Sequence, residues 1–144
     1  MRVFKFADFA KWARKERISD KTLRLAAAEI ADGKVEADLG DCLFKKRLAR
    51  PGGGKSGGWR LIVGYRKPNT DRVVFVFGFA KNEASTLTEE GHKALAITAE
   101  KIISANDKTV EALLNTGAVI EVKSDEERNR QDPSVGPQGG EGAS

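Results

Sequence analysis

The sequence contains one cysteine and one histidine, Cys42 and His92. An internal disulfide and a cysteine-only zinc site are therefore excluded, and His92 alone cannot complete a mixed one. No apolar run approaches the roughly 20 residues needed to cross a bilayer. The opening segment, Met1-Arg-Val-Phe-Lys5, does not have the pattern of a signal peptide. We expect a cytoplasmic protein that has no contact with a membrane and binds no metal.

Acidic residues are missing from the middle of the chain. Residues 42–70 contain no aspartate or glutamate, and they contain eight basic residues: Lys45, Lys46, Arg47, Arg50, Lys55, Arg60, Arg66 and Lys67. This much uncompensated positive charge is most simply explained by a surface that binds phosphates. A solvated, functionless sheet face is the alternative that the charge pattern by itself favours.

The segment Gly54-Lys55-Ser56 resembles the end of a nucleotide-binding P-loop. That motif needs a glycine where this chain has Ala49, and it needs a helix after the serine. Here the segment Trp59–Tyr65 follows the serine. It contains β-branched and aromatic residues, which predict a strand. We therefore reject a nucleotide site.

The same residues predict a β-hairpin. Its strands are Leu43–Ala49 and Trp59–Arg66, and the glycine-rich turn places Lys55 at the tip.

The C-terminal segment has a different composition. With 144 residues, 40% of them hydrophobic, the chain is long enough for one domain with its own core. Residues 124–144 hold five acidic and two basic residues, which gives them a formal charge of −3. Because the whole chain has a net charge of +4, residues 1–123 have a net charge of +7. We predict a folded domain over 1–123 and a disordered acidic, Gly/Pro-rich tail over 124–144.

Helices are predicted on both sides of the hairpin. Arg2–Phe6 is a candidate strand, and a short helix follows it with Phe6, Phe9, Ala10 and Ala13 at helical spacing. Ser19 is an N-cap for a second helix, which Gly33 ends and whose apolar stripe is Leu23, Ala26, Ala27 and Ile30.

The second half of the chain adds a turn at 68–71 and a strand, Arg72–Ala80, that is apolar on both faces. Thr86 with Glu89 forms a capping box for a long helix, and Asn106 or Asp107 caps another that ends at Gly117. Val119–Val122 is a last strand. The order β-α-α-β-β-β-α-α-β predicts an α+β domain, a small antiparallel sheet with an N-terminal helix pair and C-terminal helices.

Two segments together resemble a known family. They are the basic hairpin Leu43–Arg60 and the run Gly78-Phe-Ala-Lys-Asn-Glu83. With the element order, they resemble the RelE-like toxins of bacterial toxin-antitoxin systems over residues 1–123. The resemblance implies a microbial-RNase-type architecture, a ribosome-dependent mRNA endoribonuclease, and an antitoxin protein that inhibits it.

Cleavage of RNA without a metal needs a base for the 2′-OH proton, cations at the crowded phosphate, and an acid for the leaving 5′-oxygen. Metal-dependent cleavage usually draws on clustered carboxylates, which the basic segment lacks. A nuclease built on this segment would therefore use lysine and arginine, with no cofactor.

The resemblance implies catalytic side chains on the hairpin and after the next strand. The best match to the family is Arg60, in the sequence Gly58-Trp59-Arg60. The resemblance implies that its guanidinium binds the phosphate and stabilises the developing charge. The predicted catalytic residues are Lys45, Lys46, Arg47, Arg60 and Lys81. The predicted RNA-binding residues are Arg50, Lys55, Arg66 and Phe79.

Two points stay open in the sequence. Alternate strand residues point to opposite faces, so either Lys45 with Arg47 or Lys46 with Arg50 faces the substrate. No tyrosine or histidine lies near Lys81 to transfer a proton. That absence motivates the alternative function, a nucleic-acid binder without catalysis or a toxin that, like ParE, inhibits a topoisomerase.

Overall fold

Six strands join in one sheet with helices on both of its faces. The computed structural model describes residues 1–50, 58–66, 71–81 and 87–123. The strands are β1 (Arg2–Phe6), β2 (Ala37–Gly40), β3 (Leu43–Leu48), β4 (Trp59–Tyr65), β5 (Arg72–Ala80) and β6 (Val119–Glu121). The helices are α1 (Ala7–Lys15), α2 (Asp20–Ala31), α3 (Glu89–Ile103) and α4 (Asp107–Thr116).

The strands lie in the order β2-β3-β4-β5-β1-β6. Neighbouring strands are antiparallel except for β1 and β5, which are parallel, with Val3 opposite Val73. The predicted α+β class is confirmed. The parallel pair differs from the purely antiparallel sheet that we expected, because β1 inserts between β5 and β6 and does not lie at an edge.

Two apolar clusters hold the helices to the sheet. Helices α1 and α2 pack on one face, where Phe9 stacks on Phe75 with ring centroids 5.4 Å apart. Helices α3 and α4 pack on the other face through Ile102 and Val110, which are both fully buried. Burial of such side chains is the main source of stability in a domain of this size.

Local signals placed several helix ends correctly. The Ser19 hydroxyl accepts a hydrogen bond from the Thr22 N–H at 3.2 Å, and Asn106 accepts one from the Thr109 N–H at 2.8 Å. Gly117 adopts the left-handed conformation at the end of α4, with φ +81°. The predicted stripe of α2 is buried as expected: Leu23, Ala26, Ala27 and Ile30.

Other predictions were wrong in detail. The edge strand β2 was not predicted. The N-cap of helix α3 is Thr88, whose hydroxyl accepts from the Gly91 N–H at 2.9 Å, and not Thr86 as the predicted capping box requires. Phe6 ends β1 and packs in the cluster on the α3–α4 side, whereas Phe9 packs on the α1–α2 side.

Some predictions concern residues outside the described part of the chain. These are the glycine-rich tip with Lys55, most of the 68–71 turn, Thr86, and the acidic tail.

Close packing on the α1–α2 side depends on Gly78 in β5. A Cβ atom at this position would lie 2.2 Å from the Trp12 ring of α1, closer than real Cβ contacts come. Helix α1 therefore covers this end of the sheet on the α1–α2 side. The opposite face at the same end holds the charged hairpin residues.

Candidate nucleic-acid interface

Two rows of side chains cross the three central strands on the α3–α4 side of the sheet. In the first row Arg47 of β3 lies opposite Arg60 of β4, which lies opposite Phe79 of β5. In the second row Lys45 lies opposite Ile62, which lies opposite Phe77. Residues directly opposite each other in a sheet share a face. We call Lys45, Arg47, Arg60, Phe77 and Phe79 together the Arg60 face.

The composition of the Arg60 face is not what stability alone would produce. Like charges directly opposite each other, here Arg47 and Arg60, destabilise a strand pair. Phe77 leaves 44% of its surface exposed, in ring contact with Phe79 at 6.0 Å. Cations beside exposed aromatic rings are the groups that bind phosphates and bases of a single-stranded nucleic acid.

Arg60 is fixed at its base by two contacts. Its Nε lies 2.9 Å from Oε1 of Glu36, and its Nη1 donates to the Trp59 carbonyl at 3.3 Å. Oε1 of Glu36 also lies 3.8 Å from Nζ of Lys45. Among the described residues, Nη2 of Arg60 makes no hydrogen bond, so it remains available as a donor to a phosphate.

Glu36 was missed by the sequence reasoning. It precedes β2, outside the acid-free segment, and its backbone N–H donates to the Lys45 carbonyl at 2.8 Å. A short edge strand that was not predicted therefore brings the carboxylate to the cations. A local sequence signal for this placement does not exist.

Lys46 lies on the opposite face of β3, under α2. Only 8% of the residue is exposed, and its Nζ donates to the Lys34 carbonyl at 3.0 Å and lies 2.7 Å from Glu29. The hydrogen bond from Lys46 lowers the pKa of Glu29. Of the two registers left open, Lys45 with Arg47 is the pair that faces Arg60, and the structure does not bring Lys46 to them.

Arg50 sits at the base of the hairpin on the α1 side. Its guanidinium lies 5.3 Å from the centroid of the Trp59 ring and 3.5 Å from Glu16. The Trp59 ring is buried, and its Nε1 donates to Glu16 at 2.9 Å. The predicted RNA-binding residue Arg50 is thus directed toward α1 and away from the Arg60 face.

Arg66 lies beyond the far end of β4. It donates to both carboxylate oxygens of Glu100, at 2.6 and 2.7 Å, and to Sγ of Cys42 at 3.3 Å. The hydrogen bonds to Glu100 raise the pKa of Arg66. The structure therefore separates this predicted RNA-binding residue from Arg60 by most of the length of the strand.

Lys81 lies near the Arg60 face. It follows Phe79 by two residues, is exposed, and its backbone N–H donates to the Gly58 carbonyl at 3.0 Å. Its backbone is therefore held beside the start of β4, at the same end of the sheet as Arg60.

His92 is placed elsewhere. Its Nε2 lies 2.9 Å from Asp41, in the turn between β2 and β3, at the end of the hairpin strands remote from Arg60. In the described ranges, no group of three or more His, Cys, Asp or Glu side chains is arranged to hold a metal ion. None of the helices in those ranges combines the length and the apolar character that crossing a membrane requires.

Comparison with known proteins gives one family. Residues 1–122 match the family model described as RelE toxin of RelE / RelB toxin-antitoxin system. The match spans every described helix and strand. Among curated proteins, the comparison found no match.

Proposed function

The chain belongs to the RelE toxin family and is a toxin of a toxin-antitoxin system, and we propose that it acts as an mRNA endoribonuclease on the ribosome. The observation that carries this proposal is the row Arg47, Arg60 and Phe79. It combines charge for a phosphate with an aromatic ring for a base, within one face of a sheet.

In this proposal Arg60 stabilises the phosphate that is attacked. Its side chain is only 11% exposed, so it is held in one place by its surroundings and not by the RNA. A guanidinium that is already oriented loses little freedom when it binds charge that develops in the transition state. Arg47 and Lys45 add positive charge to the same face, and the proposed mechanism uses no metal.

The substrate in this proposal is single-stranded RNA. The exposed face of Phe77 and the adjoining Phe79 can stack on unpaired bases, which a duplex does not offer. Lys81 is proposed as a further contact to the backbone of the same strand. Arg66 and Arg50 are not included.

The family implies an antitoxin partner. We propose that the antitoxin covers the Arg60 face with acidic side chains, because a cationic surface is most readily blocked by complementary charge. The toxin and its ribosomal target would then meet in the cytoplasm once the antitoxin is removed.

The test is induced expression of the wild type and of Arg60→Ala, with 5′-end mapping of cellular mRNA. We expect the wild type to arrest growth and to cut translated mRNA. Loss of one preorganised donor to a developing charge typically lowers rates by about 10²- to 10³-fold, so Arg60→Ala should be tolerated and should leave few cuts.

The matched control is Arg66→Gln, on the same strand and bound to Glu100. It should cut as the wild type does. Equal toxicity of Arg60→Ala and the wild type would contradict the catalytic role of Arg60. Growth arrest with DNA-damage signalling and no mRNA cuts would instead favour a toxin that inhibits a topoisomerase.

A further inference from the structure

Glu36 places a negative charge within the cationic Arg60 face. Its side chain is 34% exposed, and the same oxygen, Oε1, contacts both Arg60 at 2.9 Å and Lys45 at 3.8 Å. The backbone of Glu36 is fixed by its hydrogen bond to the Lys45 carbonyl. The carboxylate is therefore held in place by both its main chain and its side chain.

A purely stabilising ion pair does not account for this position. Partly exposed ion pairs contribute at most about 1 kcal/mol. A carboxylate beside Arg60 also repels the phosphate that Arg60 is proposed to bind. In a surface that served only to bind RNA, a neutral residue at this position would bind more tightly. The contact with Glu36 orients Arg60. A carboxylate at this position is also a group that can accept a proton.

The Glu36 carboxylate is oriented by cations and is still accessible. Its Oε1 lies 2.9 Å from Nε of Arg60 and 3.8 Å from Nζ of Lys45, and the side chain is 34% exposed. The carboxylate thus lies beside the proposed phosphate site, where it can receive a proton. A proton acceptor close to a phosphate-binding arginine is one of the groups that RNA cleavage without a metal needs.

We propose that Glu36 is the proton acceptor for RNA cleavage, an inference that rests on the proposed function. The Glu36 carboxylate takes the proton of a ribose 2′-OH, and the 2′-oxygen attacks the neighbouring phosphorus. The bond from phosphorus to the 5′-oxygen breaks, that oxygen takes a proton from water, and the hydroxide left behind takes the proton from Glu36. The products are a 2′,3′-cyclic phosphate and a 5′-hydroxyl end, and the charge on the phosphate is stabilised by Arg60.

The test compares the wild type with Glu36→Gln in single-turnover cleavage of an mRNA on programmed ribosomes. Glutamine keeps the shape of the side chain and an oxygen that can accept from Arg60 Nε, but it cannot take up the proton at neutral pH. Proton transfer by a positioned side chain typically contributes 10²- to 10⁴-fold, so we expect the rate to fall by at least about 100-fold.

Binding is measured separately, with the same mRNA carrying a 2′-O-methyl group at the cut site. We expect Glu36→Gln to bind it as tightly as the wild type or more tightly, because a negative charge is removed.

The matched control is Glu29→Gln, which removes the carboxylate paired with Lys46 on the opposite face. It should retain the wild-type rate. Cleavage by Glu36→Gln within about threefold of the wild type would overturn this inference alone. A loss of binding in proportion to the loss of rate would also overturn it, because Glu36 would then only organise the surface. If the wild type cuts no RNA, the proposed function falls and this inference falls with it.

Discussion

Lys45 and Lys46 are neighbours in β3, yet their surroundings differ. Lys46 is almost fully buried under α2 and bound to Glu29 and to a backbone carbonyl. Lys45 lies on the other face, with 36% of its side chain exposed, and its Nζ lies 3.8 Å from the carboxylate of Glu36. The alternation of a strand thus gives one lysine to the core and the other to the surface.

The same contrast extends across the sheet. On the α1–α2 side, Trp59 and Gly78 are covered by Trp12, Glu16 and Arg50. The Arg60 face, by contrast, consists of two arginines, a lysine and two partly exposed aromatic rings. A count of basic residues in the hairpin therefore overstates the size of the candidate interface, because only alternate strand positions lie on the Arg60 face.

The largest expected difference between the two faces is in stability. Phe75 is fully buried on the α1–α2 side, and Phe75→Ala should lower the free energy of unfolding by about 3–5 kcal/mol. Phe77 is 44% exposed, so Phe77→Ala should lower it by less than about 1.5 kcal/mol. Urea unfolding of both variants measures this, and equal losses would show that Phe77 belongs to the core.

The next effect concerns RNA affinity. Stacking of a base on an aromatic ring contributes about 1–3 kcal/mol, so Phe77→Ala should raise the Kd for single-stranded RNA by about 5- to 150-fold. Phe77→Tyr keeps a ring and should bind as the wild type does. The measurement is titration with a 2′-O-methyl RNA, and unchanged affinity in Phe77→Ala would remove the aromatic residues from the interface.

The smallest effect is on the pH dependence of stability. Lys46 lowers the pKa of Glu29 in the folded protein, so this ion pair stabilises the fold above the unfolded pKa near 4.5, and the contribution is lost as the pH falls through the folded value. Glu29 is half exposed, which limits the contribution of the ion pair to at most about 1 kcal/mol.

Lys46→Met should therefore be less stable than the wild type at about pH 7, and the difference should shrink at about pH 3, as measured by urea unfolding at both values. Cleavage should persist in this variant. A loss of cleavage with the fold intact would show that Lys46 takes part in catalysis. It would contradict the proposal that the reaction takes place on the Arg60 face alone.

Much of the fold was predictable because its signals are local. Ser19 and Asn106 cap helices through their own side chains, and the stripe of α2 repeats at helical spacing whatever packs against it. The hairpin strands were predicted to within a residue or two because their β-branched and aromatic residues lie on both sides of a glycine-rich turn. The position of Arg60 within the hairpin follows from the same pattern.

The class of the fold and the basic hairpin could be predicted from the sequence alone, because charge, periodicity and capping are properties of neighbouring residues. The choice of Arg60 came from the resemblance of Gly58-Trp59-Arg60 to the family, and its role stays a prediction. The tertiary structure was needed to show that Lys45 faces Arg60 and Lys46 faces α2, because the direction of a strand residue depends on what covers each face. It also decided that β1 pairs in parallel with β5 and that Glu36 reaches Arg60. Those contacts join residues far apart in the chain, and a four-residue edge strand such as β2 leaves too short a pattern to predict them.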